Sequence, residues 1–206
     1  MTAYGDPTSH VFYRKLTRDY PRIVRGDGCS LSTAGGRRYL DGSGGAFVAN
    51  LGHGVDEVAN AVGAQARRLG YVNGMTVTHD PVEELAAEIA ALSPGDLDLV
   101  YPLASGSEAV EAALKLARQY WVEMGQPARQ TIIALQPGYH GNTLLALSAS
   151  AREHYKTFFH PWLVDVVQVP APYAYRGEGR GACPLCPACS GEAIEAAIVR
   201  EGPETE

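Results

Sequence analysis

No apolar run in this chain approaches the roughly 20 residues that a membrane-crossing helix needs. Positive charge is not in excess either. Lys and Arg total 17 against 23 Asp and Glu, a net charge of -6. That balance leaves no basic stripe for nucleic acid and no polybasic patch for a membrane surface. The first fifteen residues, MTAYGDPTSHVFYRK, lack the apolar centre of a secretory leader. These absences lead us to expect a soluble, cytoplasmic protein. There is no internal repeat and no low-complexity linker, so solenoids and disordered tails are disfavoured.

Cysteine is scarce as well. Of the 4 in the chain, Cys29 stands alone and Cys183, Cys186 and Cys189 lie together. The Cys-x-x-Cys-x-x-Cys spacing suggests a metal knuckle, but a closed zinc site takes four ligands. No further Cys or His follows, and Pro184 and Pro187 interrupt the run. We therefore expect reduced thiols and no metal site.

What the chain does have is ample apolar content, 46% over 206 residues, enough for an ordinary core. Its patterns change along the sequence. Val11, Phe12 and Leu16 are candidate anchors for the polar N-terminal segment. Residues 22–40 read as short strands turning at Asp27-Gly28 and Gly35-Gly36. Asp41 to Gly54 is a glycine-rich apolar loop.

Helical periodicity then takes over, with an apolar face on residues 55–69 ended by Gly70. A second helix is capped by Asp80, with Pro81 and Glu83 in its first turn. Val82, Leu85, Ala86, Ile89 and Leu92 form the face expected to meet a core. Beyond Ser93-Pro94-Gly95 the pattern predicts a strand at 97–101, a helix at 107–124, strands at 131–135 and 144–148, a polar helix near 152–159, a strand at 164–169 and a helix at 192–200. Alternation of this kind predicts an α/β fold with a mostly parallel sheet and flanking helices.

Ligands in open α/β sheets sit at the carboxyl ends of strands. Two motifs fall there. Ser105-Gly106-Ser107 opens the helix over 107–124, placing free N–H groups, a hydroxyl and the positive end of the helix dipole at one point. That arrangement suits a phosphate, although a serine N-cap with a glycine turn would read the same way. About thirty residues later Pro137-Gly138-Tyr139-His140-Gly141-Asn142 presents an aromatic at the end of the next strand. Glu108 and Glu111 lie in the first helical turns, and for Glu111 simple complementation of the dipole suffices.

Three blocks in order, Arg25 to Gly54, Asp80 to Arg118 and Gln136 to Ser150, resemble the class III, or ω-amino-acid, aminotransferases, which are pyridoxal-phosphate enzymes of fold type I. The likeness runs from about Val11 to the end. It implies pyridoxal 5′-phosphate as cofactor, with Ser105, Gly106 and Ser107 at its phosphate and Tyr139 stacked on its ring. His140 and Gly141 would line the same pocket, with Glu108 a scaffold residue beside it. Asn50 would lie near the substrate entrance, and Tyr71 and Gly74 would contribute to a substrate pocket across a homodimer interface. Many members carry bulkier aromatics where this chain has Gly74-Met75, so amine preference is open.

The resemblance divides the chain into 1–70, belonging to a small N-terminal domain, and 71–206, the first part of the cofactor-binding domain. It places the Schiff-base lysine, and the aspartate that pairs with the pyridine nitrogen, well beyond the aromatic block. The expectation is thus a fragment, inactive alone, of an enzyme that moves an amino group from an amine or ω-amino acid to an oxo acid. Aminomutase, decarboxylase or racemase chemistry on the same scaffold is an alternative, as is a non-catalytic module linked through the cysteine cluster.

Overall fold

The computed structural model describes residues 9–15, 17–172 and 191–202. The chain forms two compact units, residues 1–88 and 89–206.

In the first unit the predicted turns produce three strands, β1 (Ile23–Asp27), β2 (Ser30–Thr33) and β3 (Arg38–Leu40), paired antiparallel in that order. Gly28 and Gly36 take positive φ at the two turns. Gly28 and His53 exchange both backbone hydrogen bonds at 2.9 Å, which returns the 41–54 loop to the sheet. Helix α1 (Asp56–Arg68) ends where Leu69 turns extended, one residue before the expected glycine stop. Helix α2 (Asp80–Leu92) begins at the expected aspartate.

The periodicity of α1 and α2 matches the sequence reading, but their apolar faces are not buried. Neither helix has a buried residue, and Leu85, Ile89 and Leu92 are exposed. An amphipathic face needs a covering layer, and the described residues do not supply one. Val11 and Phe12 are likewise exposed and do not anchor the N-terminal segment. Leu16 lies outside the described residues.

The second unit opens with residues 97–103 in irregular conformation, not the expected strand. Leu99 is 94% exposed, and no strand among the described residues pairs with this stretch. An extended segment is a strand only when a neighbour takes up its backbone groups. Helix α3 (Gly106–Glu123) follows, then β4 (Ile133–Gln136) and β5 (Val167–Pro170), which pair parallel with Ile133 opposite Val167.

The crossover between these strands holds the second correction. Residues 144–148, expected as a strand, lie in helix α4 (Leu144–Ala149). Leu and Ala favour helix, and a short apolar run cannot be told from a strand by periodicity. Short helix α5 (Glu153–Lys156) and a 3₁₀ turn (His160–Trp162) complete the crossover, and helix α6 (Glu192–Glu201) packs on β5.

The core of this unit centres on α4. Ala146, Leu147, Ser148, Ala149 and Ser150 are all buried, together with Ala134, Val169 and Ala197. The hydroxyls of its buried serines are satisfied. Ser148 Oγ donates to Leu144 O at 2.7 Å and accepts from Val164 N–H at 3.1 Å. Lys156 Nζ donates to Ser148 O, and Gln168 Nε2 to Ala149 O. Buried serines bonded in this way carry little desolvation penalty.

Candidate functional site

The site assembles where the start of α3 meets the turn after β4. Ser105 is the N-cap of α3. Its Oγ accepts from Glu108 N–H at 3.2 Å and donates to the Glu108 carboxylate at 3.0 Å. This reciprocal pair spends the Ser105 hydroxyl on the helix and draws the Glu108 side chain back over the cap. The N–H groups of Gly106 and Ser107 are the next donors in the turn and have no intrahelical acceptor. A Cβ on Gly106 would meet nothing within 4 Å, so the backbone is open to an approaching group there.

The turn after β4 begins at a cis Gln136–Pro137 peptide bond. Gly138 passes close to its own strand: a Cβ would sit 2.4 Å from Leu135 O. Tyr139 is 56% exposed and meets Tyr155 edge-on at 6.2 Å. Its ring thus has one aromatic neighbour and the side chain still reaches solvent. His140 N–H donates to Ser150 Oγ at 2.9 Å, while its Nε2 is buried without a partner among the described residues.

Gly141 makes the closest junction. At φ 148° its backbone rests on α3, and a Cβ would lie 2.9 Å from Ser107 Cα, Ser107 Oγ and Ala146 Cβ. The next residue closes the joint, with Asn142 N–H donating to Ser107 Oγ at 2.9 Å. Thr143 and Ala146 both donate to Glu111 Oε2, at 2.5 and 3.2 Å. The two sequence motifs therefore meet at Ser107. Sequence reasoning missed Glu111 as a linking residue. The available signal was its place one turn after Glu108, inside the helix beyond the reach of the dipole's first turn.

The residues expected at the substrate lie in the first unit. Asn50 and Tyr71 are exposed in their loops, and Gly74 is open on all sides. Asn73 shapes that loop, its Oδ1 accepting from Met75 N–H at 3.0 Å and its carbonyl from Thr76.

The loop carrying Asn50 has an unusual conformation. Gly44, Gly45, Ala46 and Phe47 have φ of 53°, 62°, 63° and 72°, one left-handed turn that leaves Phe47 exposed. Non-glycine residues there cost about 1–2 kcal/mol each. Asp41 is the hub that holds it. One carboxylate oxygen lies 2.9 Å from His53 Nε2 and the other accepts from Gly45 N–H and Ser43 Oγ at 3.4 Å. The His53 hydrogen bond, followed by those from the loop, holds the Asp41 carboxyl below its ordinary value of 3.8 against the opposing effect of burial. Neither Asp41 nor His53 stands out in the sequence, because the contact spans a glycine-rich loop.

Among the described residues no three His, Cys, Asp or Glu side chains gather as a metal site. Cys29 is free and exposed, and Cys183, Cys186 and Cys189 lie outside the described residues. No helix among the described residues is long and apolar enough to cross a membrane. A hollow of about 1040 Å³ in the second unit lies at the far end of α3 against Arg118, Trp121, Ile132 and Val166 and does not include the Ser107 junction.

The profile of the class-III aminotransferases matches residues 14–204. An uncharacterised aminotransferase of Schizosaccharomyces pombe is 35% identical over 203 residues, 97% of this chain and 44% of the relative. A probable aminotransferase of Mycobacterium tuberculosis is 37% identical over 186 residues, covering 90% of this chain and 40% of the relative. Among solved structures, a thermostable (S)-enantioselective omega-transaminase from Thermomicrobium roseum superposes with a TM-score of 0.85 at 36% identity, over 96% of this chain and 45% of that one. The α/β architecture is thus part of the fold type I transaminase fold, and the chain spans less than half the length of these relatives. It belongs to the class-III aminotransferase family.

Proposed function

We propose that this chain binds pyridoxal 5′-phosphate, gripping the phosphate at the start of α3 and stacking Tyr139 on the ring, within an enzyme that transfers an amino group from an amine or ω-amino acid to an oxo acid. The Ser107 junction carries the reading. Because Ser107 Oγ already accepts from Asn142 N–H, its own hydrogen is left to donate outward. The N–H groups of Gly106 and Ser107 and the positive end of α3 converge on the same space. The opening beside Gly106 is the right kind of cradle for a phosphate ester. The partnerless His140 Nε2 marks the adjoining turn as a place that takes a further polar group.

Pyridoxal phosphate, when bound, supplies the electron sink that weakens a bond at the amine-bearing carbon. The chain's own residues do the positioning. Gly106 and Ser107 fix one end of the cofactor as hydrogen-bond donors. Tyr139 fixes the plane of the ring, and Gly141 sets the distance between these two supports. Ser105 and Glu108 act one step back, holding the helix start in shape. Asn50, Tyr71 and Gly74 line the substrate side in a cytoplasmic homodimer, with Asp41 and His53 holding the loop that carries Asn50.

The resemblance places the covalent lysine after the aromatic block, so the purified 206-residue chain is expected to show no transaminase turnover. The test uses the lysine-bearing enzyme. An amine donor should discharge its yellow colour, and an oxo acid should restore it. Colour that persists with every amine, with a decarboxylated or racemised product instead, overturns the transfer reaction. Absence of any chromophore overturns the cofactor.

A further inference from the structure

We infer that Glu111 is a positioning residue for the phosphate cup, acting through Thr143 and Asn142 to aim the Ser107 hydroxyl. This rests on the cofactor reading above for its use, but the contacts stand on their own.

Glu111 is the sixth residue of α3, too far along for the charge of its carboxylate to be explained by the dipole of that helix. Its side chain instead serves a different helix. Ala146 is the third residue of α4, so its N–H is one of the donors that a helix start leaves unpaired. Thr143 stands at the N-cap, yet its hydroxyl makes no cap bond. Glu111 Oε2 takes over that task, accepting from Ala146 N–H at 3.2 Å and from Thr143 Oγ1 at 2.5 Å. It is a cap supplied from another element, with the added strength of an ionised acceptor.

The consequence reaches Ser107. Thr143 Oγ1 has one hydrogen and two oxygens within reach, Glu111 Oε2 at 2.5 Å and Ser107 O at 3.4 Å. The short contact to the carboxylate claims it. With Thr143 so fixed, the residue before it keeps its own N–H, in the Gly141–Asn142 peptide, on Ser107 Oγ at 2.9 Å. A hydroxyl that accepts from that side has its hydrogen directed elsewhere, and the open space beside Gly106 is where it is useful. Four residues on two segments, Glu111, Thr143, Asn142 and Ser107, thus act in series. Glu108, one turn earlier, takes no part because its carboxylate is engaged by Ser105.

The test uses the purified 206-residue chain, with pyridoxamine 5′-phosphate and pyridoxamine as probes, since neither forms a bond with surface lysines. Glu111→Ala should speed hydrogen exchange at the Asn142 and Ala146 amides by about tenfold or more, the loss of one charge-assisted hydrogen bond. It should weaken pyridoxamine phosphate by about fivefold or more and leave pyridoxamine unchanged. Glu111→Gln keeps an acceptor oxygen and should restore most of both properties. Thr143→Val, which removes only the hydroxyl, should reproduce the exchange effect at Asn142 and so judges the series if Glu111→Ala fails to fold. Unchanged exchange in Glu111→Ala and Thr143→Val overturns the inference. If the wild-type chain binds both probes alike, the cofactor reading fails, and amide exchange still decides whether Glu111 holds the turn.

Discussion

Gly141→Ala is expected to force apart the two segments that meet at Ser107. The added methyl would lie 2.9 Å from Ser107 Cα, Ser107 Oγ and Ala146 Cβ. Ordinary carbon contacts begin near ~3.5 Å, so each neighbour must yield by several tenths of an ångström. Two of the three are fixed points, a backbone Cα and the Cβ of a buried alanine, and neither can rotate away. Overpacking of this kind costs about 1–3 kcal/mol. The backbone adds its own penalty, because φ of 148° is a region that side chains avoid, at about 1–3 kcal/mol. Together the loss is about 2–6 kcal/mol, a large share of the ~5–15 kcal/mol that keeps a domain folded. At about 2 kcal/mol per molar urea, the midpoint should fall by about 1–3 M. Exchange at the Asn142 amide should rise with it, since the bond to Ser107 Oγ is the first contact stretched. Gly106→Ala is the control. Its Cβ meets nothing within 4 Å and its φ is ordinary, so stability should change by less than about 0.5 kcal/mol. Equal urea midpoints for Gly141→Ala and wild type, with the Asn142 amide still protected, would refute the reasoning.

Three further outcomes follow from the same geometry. Ser105→Ala removes the cap of α3 and should cost about 1 kcal/mol in urea unfolding, together with lost helicity by circular dichroism. Ala46→Gly relieves a residue at φ 63°, ψ 50° and should stabilise the first unit by about 0.5–1 kcal/mol, seen as slower exchange at the Val48 and Ala49 amides. Asp41, with its folded pKa below the ordinary 3.8, stabilises the loop above that value. This contribution should fade as pH falls below about 4 toward the lowered pKa. The Gly45 amide signal should report the loss, and Asp41→Asn should abolish that pH dependence.

The legible parts of this protein are those set by neighbours in sequence. Turns at Asp27-Gly28 and Gly35-Gly36 carried the antiparallel sheet, because glycine and aspartate fix hairpins locally. Ser105 before an amphipathic run marked the start of α3 within one residue. Where the outcome depends on distant partners, sequence reasoning fails in a specific way. Leu97 to Tyr101 has the composition of a strand but finds no ladder among the described residues. Leu144 to Ser148 is a short apolar run open to either reading, and its Leu and Ala content with burial of residues 146–149 goes with helix. The site followed the same rule. Its two halves were each recognisable, at Ser107 and at Tyr139. The bond that joins them, and the Glu111 carboxylate behind it, connect residues 32 to 35 positions apart and leave no local signature.

The most direct measurement is an amide-resolved titration of the 206-residue chain with pyridoxamine 5′-phosphate, run beside pyridoxamine and repeated on Ser107→Ala. The phosphorylated probe alone should perturb the Gly106 and Ser107 amides, and Ser107→Ala should weaken it, with lost amide protection confined to Asn142. Equal binding of both probes, or perturbations confined to the hollow around Arg118 and Trp121, would contradict the phosphate cup.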